Sequence, residues 1–98
     1  MRTNVQVSQP IELATLRRMH RVVLFARPGC HLCDVAREVL EAVRARVPFE
    51  LDEVDIEADE TLELEYGIRI PVVTVDGEER FEVSVDRAEL TRLVAGPR

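Results

Sequence analysis

Two cysteines stand three positions apart in "RPGCHLCDVA", residues 27–36, and they are the only thiols in this 98-residue chain. A Cys-x-x-Cys pair can ligate a metal, form a permanent staple, or exchange disulfides reversibly. Structural zinc needs four ligands, and the chain offers two cysteines and two histidines, His20 and His31, so a site within one chain would have to recruit carboxylates. A zinc or iron–sulfur site shared between two chains survives as an alternative: a metal-binding or partner-binding module without oxidoreductase activity. Exchange needs a thiolate. A helix N-terminus stabilises one, because unsatisfied N–H groups and the positive end of the dipole face it, and the cysteine pKa drops from about 8.5 to about 3.5–7.5. Cys30 would then attack a disulfide, and Cys33, one helical turn on and more covered, would resolve the mixed disulfide. His31 between them has two readings. As imidazolium it stabilises the neighbouring thiolate; alternatively, adjacent residues on a first turn point apart and His31 is merely exposed.

The elements around the pair supply that helix start. "RVVLFA" (21–26) is a continuous apolar run, which predicts a central parallel strand buried on both faces. From Leu32 the period changes, and Leu32, Val35, Ala36, Val39, Leu40 and Val43 fall on one helical face. Arg37 and Glu41 are spaced to pair on the other, and Pro48 stops the helix. "FELDEVDI" (49–56) predicts a second strand whose alternation slips between Leu51 and Val54, as a bulge or a later true start would cause. "DETLELEYG" (59–67) reads as a short helix with Leu62 and Tyr66 inward and Gly67 just past its end. "PVVTVDGEERFEV" (71–83) is a hairpin turning at Asp76-Gly77, and "DRAELTRLVAGP" closes as a helix with an Asp86/Glu89 capping box and a Leu90, Leu93, Val94 stripe. The order β-α-β-α-β-β-α predicts an α/β fold: a mixed four-stranded sheet with helices on both faces.

Composition narrows the function classes. The net charge of −6 argues against nucleic acid as a partner. All thirteen basic residues are arginine, which removes lysine Schiff-base chemistry. Nine carboxylates and no base lie between Glu50 and Glu65, a run that reads as a solvated face or a means of steering a basic partner. No apolar run approaches the roughly 18 residues of a membrane span, and "MRTNVQVSQP" has no signal-like apolar core, so the expected setting is the cytoplasm, with no membrane partner. Residues 1–18 read as a weakly ordered extension, with a short helix over "SQPIELATL" as the other reading, and 19–98 as one domain.

Taken together, "VVLFARPGCHLC", "VDI", "YGIRIPVV", the hairpin and the closing helix resemble the thioredoxin fold, and within it the glutaredoxins, over about residues 21–95. That resemblance implies a thiol-disulfide oxidoreductase, acting as a monomer, with Cys30 and Cys33 as the redox pair and no bound cofactor. It implies a cis bond at Ile70-Pro71, which would free the Ile70 backbone to pair with an extended substrate. Thioredoxins carry Trp-Cys-Gly-Pro-Cys and a buried aspartate six residues before the first cysteine; here Gly29 precedes Cys30 and Leu24 stands at the aspartate position, as in glutaredoxins. Arg27 matches the basic residue with which glutaredoxins hold a glutathione carboxylate, and Asp86 matches their aspartate at the last helix. The chain departs from the family at Glu82-Val83, where glutaredoxins have Gly-Gly. Side chains there block close backbone approach, and Glu82 repels a carboxylate, which argues against tight glutathione use. Glutathione stays a candidate electron donor beside a protein dithiol or a reductase. The expected substrate is a protein disulfide or a low-molecular-weight thiol compound.

Overall fold

A computed structural model describes residues 19–97; the extension expected over 1–18 lies outside them. The elements are β1 (Arg21–Ala26), α1 (His31–Arg44), β2 (Glu50–Asp55), a 3-10 turn (Ile56–Ala58), α2 (Glu60–Tyr66), β3 (Val72–Val75), β4 (Glu78–Glu82) and α3 (Arg87–Ala95). The sheet order is β2-β1-β3-β4. β1 runs parallel to β2 and antiparallel to β3, and β3 and β4 form the antiparallel hairpin. The fold is a thioredoxin-like mixed sheet with three helices.

Burial on β1 alternates, which corrects the expectation of two equally buried faces. Val22, Leu24 and Ala26 are buried, whereas Val23 and Phe25 are partly covered. The first set meets α1 and α3 in one core with Ala36, Leu40, Val43, Val73, Leu90 and Val94. Among the described residues, the helix that meets the other face is the seven-residue α2, whose Tyr66 ring stacks on Phe25 at 4.3 Å between centroids. Leu32 and Val35, read from the sequence as inward, are 47% and 43% exposed. The buried stripe of α1 is Cys33, Ala36, Leu40 and Val43. Leaving Cys33 out of the apolar set moved the inferred face to one side of the true one. Nor does Arg37 pair with Glu41: its guanidinium reaches Asp34 and, on β2, Glu53, while Glu41 pairs with Arg44.

Of the two explanations for the slip in the second strand, the bulge is absent, and the strand starts one residue later than the predicted Phe49, at Glu50. β1 and β2 keep one register from Arg21↔Glu50 to Ala26↔Asp55. The parity slip arises because Leu51 stands beside Val22 on the core face and Val54 beside Phe25 on the other face, while buried Ile56 lies past the strand in the 3-10 turn. A bulge does occur in the hairpin, where Val73 faces Phe81 and Thr74 faces Glu79, leaving Arg80 as the extra residue. The turn itself takes positive φ at both central residues, Asp76 at 53° and Gly77 at 88°, the backbone that matches strand twist. Asp76 caps the end of β1 as well, its Oδ1 accepting from the Arg21 amide at 2.9 Å. Its Oδ2 meets Nδ1 of buried His20, whose Nε2 bonds the Gly96 carbonyl at 2.8 Å. These bonds set His20 at the opposite end of β1 from the cysteines. At α3, Asp86 accepts from the Glu89 amide at 3.1 Å. The capping box is half made, because the Glu89 carboxylate turns to Arg92 instead.

Candidate active site: a dithiol where a helix begins

β1 ends at Ala26, and Arg27, Pro28 and Gly29 turn the chain into α1. Gly29 has φ 76°, a left-handed backbone that a side chain would strain. That turn delivers Cys30 to the N-cap with extended backbone (φ −94°, ψ 111°). The Cys30 carbonyl accepts from the Asp34 amide at 3.1 Å, and its Sγ accepts from the Cys33 amide at 3.2 Å. A sulfur so placed takes the role usually held by a serine or aspartate oxygen, and the bond strengthens when the sulfur is ionised. Cys30 is half-buried and Cys33 wholly buried, and the pair is joined as a disulfide with 5.2 Å between Cα atoms. His31 is the first helical residue and is exposed. No described hydrogen bond joins it to Cys30.

The second wall of the site is the segment before β3. The Ile70–Pro71 bond is cis. The Val83 amide donates to the carbonyls of both Arg69 (3.2 Å) and Pro71 (2.8 Å). Ile70 between them has no backbone partner among the described residues, and its side chain, like Cys30, packs on the core. Val83 holds φ 72°, so the position where glutaredoxins have glycine keeps a glycine-like backbone under a β-branched side chain. Asp86, three residues on, caps α3.

Arg27 follows β1 at the start of the turn into α1. Its Nε is buried with no hydrogen-bond partner among the described residues. Gly67 faces it: a Cβ there would stand 2.5 Å from the Glu63 carbonyl and 3.4 Å from the Arg27 guanidinium. Gly67 is therefore small for lack of room, and its φ of −52° shows that it is not the left-handed cap suggested by its place after a helix. A cleft of about 390 Å³ opens beside this turn, lined by Arg27, Pro28, Gly29, Asp34, Arg37 and Glu53 among others. The hydrogen bond from Arg37 holds the Glu53 carboxyl below its ordinary value and raises the pKa of Arg37 itself. Sequence reasoning missed Arg69, which gathers Glu65, Glu79 and Glu82 around one guanidinium. Of these only Glu65, four residues before Arg69, was visible as a neighbour in sequence. Among the described residues no group of three or more His, Cys, Asp or Glu is arranged to hold a metal.

Residues 21–95 match the model of the Glutaredoxin-like domain (DUF836) family. The chain belongs to that family. An uncharacterized protein of Mycobacterium tuberculosis, Rv0508, is 31% identical over 85 residues, covering 78% of this chain and 88% of that one. The solved structure of protein XcR50 from X. campestris is similar at 36% identity and a TM-score of 0.63, covering 78% of this chain and 99% of its own. A thioredoxin from Halobacterium salinarum matches in fold, at 22% identity and a TM-score of 0.59, over 88% of this chain and 80% of its own. The family match joins the site description: a glutaredoxin-like, thioredoxin-fold protein with Cys30 and Cys33 at disulfide distance.

Proposed function

We propose that the protein is a thiol-disulfide oxidoreductase working through Cys30 and Cys33. The observation that carries this reading is the Cys30 Sγ at the start of α1, within reach of both the Cys33 amide and the Cys33 sulfur. In the reduced protein, the Cys30 thiolate attacks a substrate disulfide, breaks it, and expels one half as a thiolate. The buried Cys33 then displaces the other half and closes the Cys30–Cys33 disulfide. Two electrons pass from the dithiol to the substrate, and a cellular thiol or a reductase restores the pair. The reducing cytoplasm is the setting in which such a pair cycles.

The Ile70 backbone edge suits an extended substrate segment, bound as an added strand. Arg27, lining the cleft beside the turn that carries Cys30, suits a carboxylate or another anionic group on the incoming molecule. Glutathione offers such a carboxylate. The Val83 side chain and the Glu82 charge argue that it serves as an electron donor of modest affinity rather than a tightly held partner.

The test is single-turnover reduction of a disulfide by the pre-reduced protein. Cys30→Ser abolishes reaction, while Cys33→Ser accumulates a mixed disulfide detectable by mass. Reaction that persists in Cys30→Ser would overturn the proposal.

A further inference from the structure

We propose that Arg69 is a positioning residue: it presets the outward backbone edge of Ile70 for an extended, disulfide-bearing peptide, and the bulge at Arg80 is what allows it to. The proposal rests on the thiol-disulfide reading above and names the substrate class for which the site is built.

The guanidinium of Arg69 draws three elements together. Its Nη1 bonds Glu79 at 2.8 Å and Glu82 at 3.2 Å, both on β4. Its Nη2 bonds the Glu65 carbonyl at 3.0 Å, at the end of α2. It lies 5.4 Å from the centre of the Tyr66 ring, which in turn stacks on Phe25 of β1. A single exposed ion pair constrains little, but one planar fork shared by three carboxylates and a ring has few alternative poses.

Strand parity explains why the bulge matters. Residues 79 and 82 are an odd number apart, so in a regular strand their side chains would leave opposite faces of the sheet. The extra residue, Arg80, shifts the register so that Glu79 faces Thr74 and Glu82 faces Val72. Thr74 and Val72 share a face, so Glu79 and Glu82 share it too, and one arginine reaches both.

The consequence falls on Ile70. The carbonyls on either side of it, Arg69 and Pro71, both accept from the Val83 amide. With both neighbours turned toward β4, the Ile70 N–H and C=O turn away from it and lack partners among the described residues. A peptide pairing with Ile70 then meets an edge already held in place, which lowers the ordering cost of binding. A small disulfide with no peptide backbone gains nothing from that edge.

The test compares two routes to the same loss, Arg69→Met and the double variant Glu79→Ala/Glu82→Ala, each assayed below its melting transition. One substrate is a synthetic peptide of about eleven residues whose central cysteine is capped as a mixed disulfide with 2-mercaptoethanol. The other is bis(2-hydroxyethyl) disulfide. In single turnover of pre-reduced protein, both variants are expected to raise the half-saturating peptide concentration about tenfold. The limiting rate and the small-disulfide rate stay within about twofold. Unchanged half-saturation, a parallel loss with both substrates, or an effect of Arg69→Met that the double variant lacks would overturn the proposal. If wild type reduces neither disulfide, it is the thiol-disulfide reading that fails. The positioning role is then judged by the same peptide capped as an S-methyl thioether, which cannot exchange. Movement of the Ile70 amide resonance on binding, with about tenfold weaker affinity in both variants, supports it; no movement, or equal affinity, overturns it.

Discussion

At Cys30, three separate demands meet: the cap of α1, the hydrogen bond from the Cys33 amide, and access for an incoming disulfide. The amide donor belongs to the backbone and does not depend on any neighbouring charge. His31 is exposed, and no described hydrogen bond joins its ring to Cys30. His31→Ala is therefore expected to leave the Cys30 titration unchanged, as read from the pH dependence of alkylation by iodoacetamide in the reduced protein. A second residue-scale expectation concerns Val83. A left-handed backbone costs a non-glycine residue about 1–2 kcal/mol, and glycine gives back about 0.5–1 kcal/mol through its freer unfolded chain. Val83→Gly should thus gain up to about 1.5 kcal/mol of stability, measurable as a higher denaturant midpoint at unchanged slope. The glycine-like backbone at Val83 could not be read from a valine. By contrast, the cap role of Cys30 followed directly from a strand, a Pro-Gly turn and an apolar stripe in that order.

At the scale of elements, what the sequence showed depended on how local the determinant was. The Asp76-Gly77 turn and the closing helix from Asp86 were legible because turn and cap chemistry act over a few residues. The hairpin bulge was not. β4 reads Glu-Glu-Arg-Phe-Glu, and four polar side chains of five on an exposed edge strand give no face pattern from which a slipped register could be noticed. Arg69 was missed for a related reason: Glu79 and Glu82 come near it only after the hairpin folds. On α1 the apolar residues were recognised but the face was mis-centred, and the two sides of that error predict different costs. Leu40 is fully buried, so Leu40→Ala should cost about 2–5 kcal/mol in chemical denaturation. Leu32 is half exposed on the rim of the dithiol, and Leu32→Ser should stay within about 0.5 kcal/mol of wild type. Similar losses from the two variants would contradict the helix orientation described above.

For the molecule as a whole, the excess of acid is partly organised. Arg21 pairs with Glu50 and Asp52, Arg37 with Glu53, and Arg92 with Glu89, besides the Arg69 group. Hydrogen bonds from arginine hold Glu53, Glu79 and Glu89 below their ordinary values. A carboxylate whose folded pKa is depressed stabilises the fold fully above its unfolded pKa, and that contribution is lost as pH falls through the depressed folded value. Melting temperature is accordingly expected to hold from neutral pH down to the ordinary carboxylate range and to fall below it. Arg37→Met should flatten that acid limb by removing the Glu53 share. A limb of unchanged steepness would count against the pairing. At the far end of the sheet from the cysteines, His20 touches the hairpin tip through Asp76 and the tail of α3 through the Gly96 carbonyl. The first strand thus starts beside the end of the last helix. A circularly permuted chain, with a short flexible linker joining residue 97 to residue 19 and new ends cut elsewhere, should fold to the same sheet, because the join would span a gap that one imidazole already bridges.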